Sequence, residues 1–263
     1  MIATHLSTLA GSCNLRDVGG VSTVDGRRVR RGRLLRSGVL TRLTPAAVRE
    51  LQALPVRAVC DLRRTEERER HPNPSFGPDV QQFEWDSTVA SSPIREPGFV
   101  RSESVDAARA AMVAMYGRIP FLLQSRLAGA FRALAHARDG ATIVHCSAGK
   151  DRTGVAVALV LEALGVPRDA VVADYVLTRQ AVDLRRELFG DDATGAGLAA
   201  NAAPFRALPE FALDAVLDAR PEYILAALAA VEDRHGTVER YVFDELGLAP
   251  TMLADVRECL LED

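Results

Sequence analysis

Cys146, Ser147, Lys150, Asp151, Arg152 and Thr153 stand close together in the stretch "HCSAGKDRTG", residues 145–154. An apolar run ends at His145, and a long apolar stretch starts around Arg152, so the cysteine sits on a turn from strand to helix. The backbone N–H groups of Ser147 to Arg152 can curl inward into an anion-binding nest. The helix start adds unpaired N–H groups and the positive end of its dipole. Ala148 and Gly149 keep the turn small enough for close approach. Arg152, six positions after the cysteine, can grip two oxygens of a phosphate at once. The same field lowers a thiol below its free value of roughly 8.5 and makes Cys146 a nucleophile facing the bound anion. The chemistry open to this set is attack on a phosphate ester to form a cysteinyl-phosphate, which water then hydrolyses. A cysteine is more often a small buried hydrophobe, but the Cys-x5-Arg frame between strand and helix argues against that here. "GK" is not a Walker A ending, since Asp151 stands where Ser or Thr is required. A sulfur transferase loop and a phosphate-binding module without turnover are the alternatives from other classes.

Alternating elements can position such a loop. "TPAAVRELQAL" reads as a helix with Thr44 as N-cap and Pro45 in the first turn. "VRAVCDL", Val56–Leu62, reads as a buried strand. "TEERER" starts a helical stretch, with Thr65 as candidate cap and its charges on a solvated face. A strand is expected in "VQQFEW", helices over Ala107–Tyr116 and Phe121–Ala137, a strand at Thr142–Val144 and a helix at Thr153–Leu164. Arg168–Leu188 reads as helical and "GDDATGAGLAANAAP" as a small-residue loop, with helices from there to the C-terminus. Strand-helix alternation predicts an α/β fold with a central, mostly parallel sheet flanked by helices.

The 263 residues suffice for one sizeable domain. Hydrophobic residues make up 48% and charged residues 25%, as in soluble globular proteins. A net charge of −3 gives no global pull toward nucleic acid or anionic membranes, so phosphate-binding charge must be local. Cys13, Cys60, Cys146 and Cys259 form no CxxC pair, which argues against zinc and against a disulfide scaffold. "MIATHLSTLAGSCNLRD" does not read as a signal peptide, and no apolar run is long enough to span a membrane. A cytoplasmic protein is expected; export without a cleavable signal would leave no mark at this level.

The loop resembles that of the cysteine-dependent protein tyrosine phosphatase superfamily. Its "AGKDRTG" form is similar to the bacterial tyrosine/serine and phosphoinositide phosphatases. "NLRDVGG", "GRLLRSGVL", "VCDLRRTEER", "VVADYVLT" and "RPEYILAALAAVEDRHGTVERYV" follow in that family's order, so the resemblance covers essentially the whole chain as a single domain, 1–263. It implies a phosphatase fold with a helical lid within about 86–120 and 168–215. It also implies hydrolysis of phosphotyrosine, and of phosphoserine/threonine or phosphoinositides, without metal or other cofactor.

By this resemblance Cys146 is the nucleophile and Arg152 the phosphate clamp. Ser147, Ala148, Gly149 and Lys150 bind substrate, and Lys150 as a second cation suits more than one phosphate or pairs within the protein. His145 helps set the thiol through neighbouring backbone. Thr153 donates to the thiolate or caps the helix. Asp151 is the preferred general acid because its side chain cannot wander far from the phosphate; Asp86 in "FEWD" is the other candidate. Arg16 and Asp17, with Asp61 and Arg63, buttress the site, whereas Arg36 and Ser37 read as structural. Cys60 reads as core, and as a redox partner for Cys146 only if their Cα atoms lie within about 7 Å. Substrate preference and oligomeric state stay open.

Overall fold

The structure is a computed structural model that describes residues 9–85, 99, 102–190 and 199–263. The first strands are β1 (Arg16–Asp17), β2 (Arg28–Val29), β3 (Leu34–Ser37) and β4 (Val56–Asp61), with helix α1 (Pro45–Gln52) before β4. Helix α2 (Thr65–Arg70) and β5 (Gln81–Phe83) follow. Then come α3 (Val105–Leu122), α4 (Gln124–His136) and β6 (Ala141–His145). The rest is helical: α5 (Asp151–Ala163), α6 (Arg168–Val176), α7 (Thr178–Ala181), α8 (Leu184–Phe189), α9 (Ala199–Arg206), α10 (Glu210–Leu217), α11 (Pro221–His235), α12 (Val238–Asp244) and α13 (Pro250–Leu260). Strand β7 (Leu261–Glu262) ends the chain and pairs with β2.

Among the described residues one five-stranded sheet has the order β1-β3-β6-β4-β5. Only β1 runs antiparallel to its neighbour. All five residues of β6 are buried, which is why it reads as a continuous apolar run rather than an alternation. Its faces still separate with period two. Ala141 and Ile143 join Leu35, Leu51 and Val59 on the α1 side, and Val144 joins Leu34, Ala58 and Cys60 on the side of α3, α4, α5 and α11. α5 is apolar almost all round because it is enclosed by other elements, with ten of its residues buried. Its N-terminus meets the end of β6, so strand and helix present the intervening loop at the C-terminal edge of the sheet. No helix among the described residues is long and apolar enough to cross a membrane.

The α/β architecture and its mostly parallel sheet are as the sequence predicts. Thr44 caps α1, its Oγ accepting the Ala47 N–H at 3.2 Å, a contact worth about 1 kcal/mol. Several details differ. α3 runs through Pro120, where a helix boundary is expected; Pro120 lies in the last turn, and its carbonyl accepts the Tyr241 hydroxyl at 2.7 Å. α2 has Arg64, not Thr65, at its cap, and Glu67 closes a capping box by accepting the Arg64 N–H at 2.8 Å. Residues 168–188 break into three helices instead of one. The small-residue stretch expected as loop enters α9 at Ala199. Residues 105–120 belong to α3, whose Met112, Met115, Tyr116 and Ile119 are fully buried in the core.

Candidate active site

The loop between β6 and α5 is shaped from outside by its carbonyls. Cys146 O faces His145 Nδ1 at 3.4 Å, and Ser147 O accepts the Val39 N–H at 2.9 Å. Ala148 O accepts from Asn14 Nδ2 at 3.5 Å. Gly149 O accepts from Asn14 Nδ2 and Arg36 Nη2, both at 2.8 Å. In a trans peptide the N–H points opposite its C=O. Four successive carbonyls drawn outward therefore turn the N–H groups of Ser147, Ala148, Gly149 and Lys150 inward, as an anion nest requires. Gly149 has φ of +67°, and an added Cβ would lie 2.5 Å from the Gly38 nitrogen, so only glycine fits that turn.

Arg152 is fastened in a fork. Its Nη1 donates to Glu67 Oε2 at 2.7 Å and its Nη2 to Glu67 Oε1 at 2.9 Å, with a further bond to Ser147 Oγ at 3.1 Å. Ser147 Oγ in turn donates to Glu67 Oε1 at 2.6 Å. Burial disfavours the charge on Arg152, but Glu67, Cys146 and Asp151 outweigh it and raise its affinity for the proton. Burial likewise opposes ionisation of Glu67, yet Arg152 holds it well below the usual carboxylate range. The expectation of a wholly solvated face on α2 is thus corrected: Glu67 is buried against the loop.

This pair makes stability depend on pH in a definite direction. A depressed carboxylate contributes stability above its unfolded value, near 4.3 for Glu, and loses it as pH falls toward the folded value. Glu67→Gln is expected to cost about 3 kcal/mol at neutral pH by stranding a buried Arg152. The gap in urea midpoint between wild type and variant should narrow from pH 5 to pH 3. A gap constant across that range would show that the ion pair is not its source.

Behind the loop, Asp174 of α6 joins two arginines. Arg36 Nη1 donates to Asp174 Oδ2, and Arg16 Nε to Oδ1 at 3.2 Å. Burial opposes charge on Asp174, but Arg36 and Arg16 lower its pKa regardless. Arg16 therefore supports the loop through Asp174. Asp17 does not: its carboxylate accepts the Gly19 and Gly32 N–H groups at 2.8 and 2.9 Å, fixing a turn. Asp61 and Arg63 form a buried pair at 2.7 Å. Asn73 carries that pair to His145, its Nδ2 donating to Asp61 Oδ2 at 3.0 Å and lying 3.1 Å from His145 Nε2. Burial lowers the His145 pKa despite the pull of Asp61. A neutral ring then accepts from Asn73 at Nε2 and donates from Nδ1 to Cys146 O.

Lys150 is buried, and its ammonium donates to Val216 O and to Asp218 O at 3.1 Å, just beyond α10, and lies 3.3 Å from Asp151 Oδ1. It thus faces α10 rather than the open loop. Thr153 turns its hydroxyl to Ser37 O at 3.4 Å. Lys150 itself occupies the α5 cap position, so Thr153 does not cap the helix. Asp151 starts α5 and accepts the Tyr116 hydroxyl at 2.6 Å. Asp86 lies outside the described residues. Cys60 is fully buried in β4, opposite Val144 in register, and burial pushes its thiol up. Cys13 lies nearer the loop, its Sγ 3.9 Å from Ala148 O, with its pKa pushed up to about 12 by burial.

Asn14, Arg36, Glu67, Asn73, Tyr116, Asp174 and Tyr175 escape sequence reasoning as site residues. Five lie in motifs that carry the resemblance: Asn14 in "NLRDVGG", Arg36 in "GRLLRSGVL", Glu67 in "VCDLRRTEER", and Asp174 and Tyr175 in "VVADYVLT". Glu67 stands in an ordinary-looking charge run.

A model of the tyrosine phosphatase family matches residues 7–262. A protein of Cupriavidus necator named as a tyrosine-protein phosphatase is 33% identical over 242 residues, covering 89% of this chain and 81% of the relative. The triple specificity protein phosphatase PtpB of Mycobacterium tuberculosis is 32% identical over 280 aligned positions, covering 96% of this chain and 98% of the relative. The sheet, the nest-forming loop and these matches converge: the chain belongs to the tyrosine phosphatase family and is a phosphatase of the hydrolase class.

Proposed function

We propose that the chain hydrolyses phosphomonoesters through a cysteinyl-phosphate on Cys146. The observation that carries this is the Arg152 fork locked by Glu67 beside a loop whose N–H groups from Ser147 to Lys150 turn inward. Substrate phosphate enters the nest with its oxygens on the N–H groups of Ser147 to Arg152 and on the outer edge of Arg152. The Cys146 thiolate attacks phosphorus, the P–O bond to the leaving group breaks, and Asp151 protonates the departing oxygen. Water then attacks phosphorus and gives its proton to Asp151, the S–P bond breaks with its electron pair returning to Cys146, and phosphate leaves. The loop supplies the positive charge itself, so turnover should persist in EDTA.

Phosphotyrosine is the substrate class that the family suggests. The relative named a triple specificity phosphatase supports extending it to phosphoserine/threonine and phosphoinositides. A second phosphate would have to compete with the Val216 and Asp218 carbonyls for Lys150. The test is p-nitrophenyl phosphate hydrolysis in EDTA with acid quench, which should trap phosphate covalently on the wild type and none on Cys146→Ser. Turnover without trapped phosphoenzyme in a rapid quench would overturn the covalent route.

The acid assignment has its own test. Asp151→Asn should lower kcat/KM by about 10²-fold for phenyl phosphate and far less for p-nitrophenyl phosphate, whose leaving group needs little protonation. Equal losses on both, or a steeper selective loss in Asp86→Asn, would remove Asp151 from that role.

A further inference from the structure

Asp151 Oδ1 is crowded with donors and Oδ2 is not. Tyr116, on α3, donates its hydroxyl proton to Oδ1 at 2.6 Å, and Lys150 Nζ lies 3.3 Å from the same oxygen. Among the described residues Oδ2 has no hydrogen-bond partner. Behind Tyr116 stands Tyr175 of α6, the two hydroxyls 2.6 Å apart. A phenol has one proton. Since that of Tyr116 goes to Asp151, Tyr116 must accept from Tyr175, and the chain runs Tyr175 to Tyr116 to Asp151. Both rings are fully buried, and burial raises both phenols well above their ordinary pKa, so both stay protonated donors.

We propose that Tyr116 is a positioning residue for the general acid: with Tyr175 behind it and Lys150 beside it, it holds Asp151 Oδ1 as an acceptor, so that the transferable proton sits on Oδ2. This rests on the reading of Asp151 as the acid. In the first step the S–P bond forms, the P–O bond breaks, and its electron pair takes the proton from Oδ2. The carboxylate left behind already has two donors on Oδ1. In the second step Oδ2 takes a proton back from the attacking water.

Adjacent residues of α6 thereby hold two points of the loop. Asp174 reaches Gly149 through Arg36, and Tyr175 reaches Asp151 through Tyr116. The groups that face Asp151 are Lys150 from the loop, Arg152 from α5, Tyr116 from α3 and Tyr175 from α6. From the side of α10 and α11, Asp218 holds Lys150 through its carbonyl, and Tyr223 packs against the Tyr116 ring at 5.5 Å. Removing the Tyr116 hydroxyl deletes a donor that favours ionised Asp151. The alkaline limb of kcat/KM must then move to higher pH.

The experiment is Tyr116→Phe and Tyr175→Phe, with kcat/KM measured against pH for phenyl and p-nitrophenyl phosphate. Tyr116→Phe should lose about tenfold on phenyl phosphate, little on p-nitrophenyl phosphate, and move the alkaline limb to higher pH. Tyr175→Phe should shift it the same way by less. In an Asp151→Asn background Tyr116→Phe should add no leaving-group-dependent loss. A steep leaving-group effect in Asp151→Asn together with a flat one and an unmoved limb in Tyr116→Phe overturns this inference alone. A flat effect in Asp151→Asn overturns the acid assignment and the inference with it.

Discussion

Cys146→Ser is expected to lower kcat by on the order of 10⁴-fold or more while leaving the fold intact. The reason is nucleophilicity. At neutral pH a serine hydroxyl is not ionised, and among the described residues no side chain is hydrogen-bonded to the Cys146 sulfur to take a proton there. The nest, however, consists of backbone N–H groups whose directions are set by carbonyl bonds to Asn14, Arg36, Val39 and His145. None of these involves the sulfur. The variant should therefore bind inorganic phosphate at least as tightly as the wild type, because a negative thiolate no longer faces the anion. Calorimetric phosphate binding and a thermal melt, set beside kcat, check all three points. Near wild-type turnover in the purified variant would refute the mechanism outright.

Arg152→Lys is expected to lower kcat/KM by about 10²–10³-fold, although the charge is kept. The guanidinium spends one edge on Glu67, Oε2 at 2.7 Å and Oε1 at 2.9 Å, and is thereby held at a fixed angle; Nη1 also reaches Leu62 O at 3.3 Å and Nη2 reaches Ser147 Oγ at 3.1 Å, contacts that an entering phosphate would displace. An ammonium on a flexible stem cannot satisfy both carboxylate oxygens and two phosphate oxygens at once. Phosphate inhibition should weaken together with kcat/KM, since the lost contact serves ground state and transition state alike. Unchanged inhibition with reduced kcat would show that Arg152 acts only on the transition state. Wild-type values of both would remove it from the site.

What could be read from the sequence was what is local. Cys146 and Arg152 share one short loop, so their chemistry is visible in ten letters, and the surrounding strand and helix follow from apolar runs. Thr44 and Pro45 mark a helix start for the same reason. Glu67 is different. Its partner lies 85 residues away, and within "TEERER" nothing distinguishes it from Glu66 or Glu69, which stay at the surface. Arg36 reads as structural until the sheet brings it to Gly149, 113 residues on. Tyr116 lies in an apolar helix where an aromatic is ordinarily core, and it is core; only its hydroxyl reaches the site. The strands β1, β2 and β7 are two residues long and leave no periodicity to detect. Adjacency in sequence pairs Asp17 with Arg16, but neighbouring residues on a strand point to opposite faces.

The strand order has a consequence for how the chain is made. β6 lies between β3 and β4, so these two earlier strands have no pairing with each other in the finished sheet. On a chain growing from its N-terminus, both must wait for residues 141–145 to be synthesised, holding unfilled edges and apolar faces meanwhile. Such long-range parallel pairing is slow and exposes aggregation-prone edges. The strand that finally closes the gap is the one that carries Cys146 at its end. A chain synthesised only as far as β4 therefore has no phosphatase loop to misuse, and even the completed sheet must wait for Asp174 and Tyr175 before that loop is held.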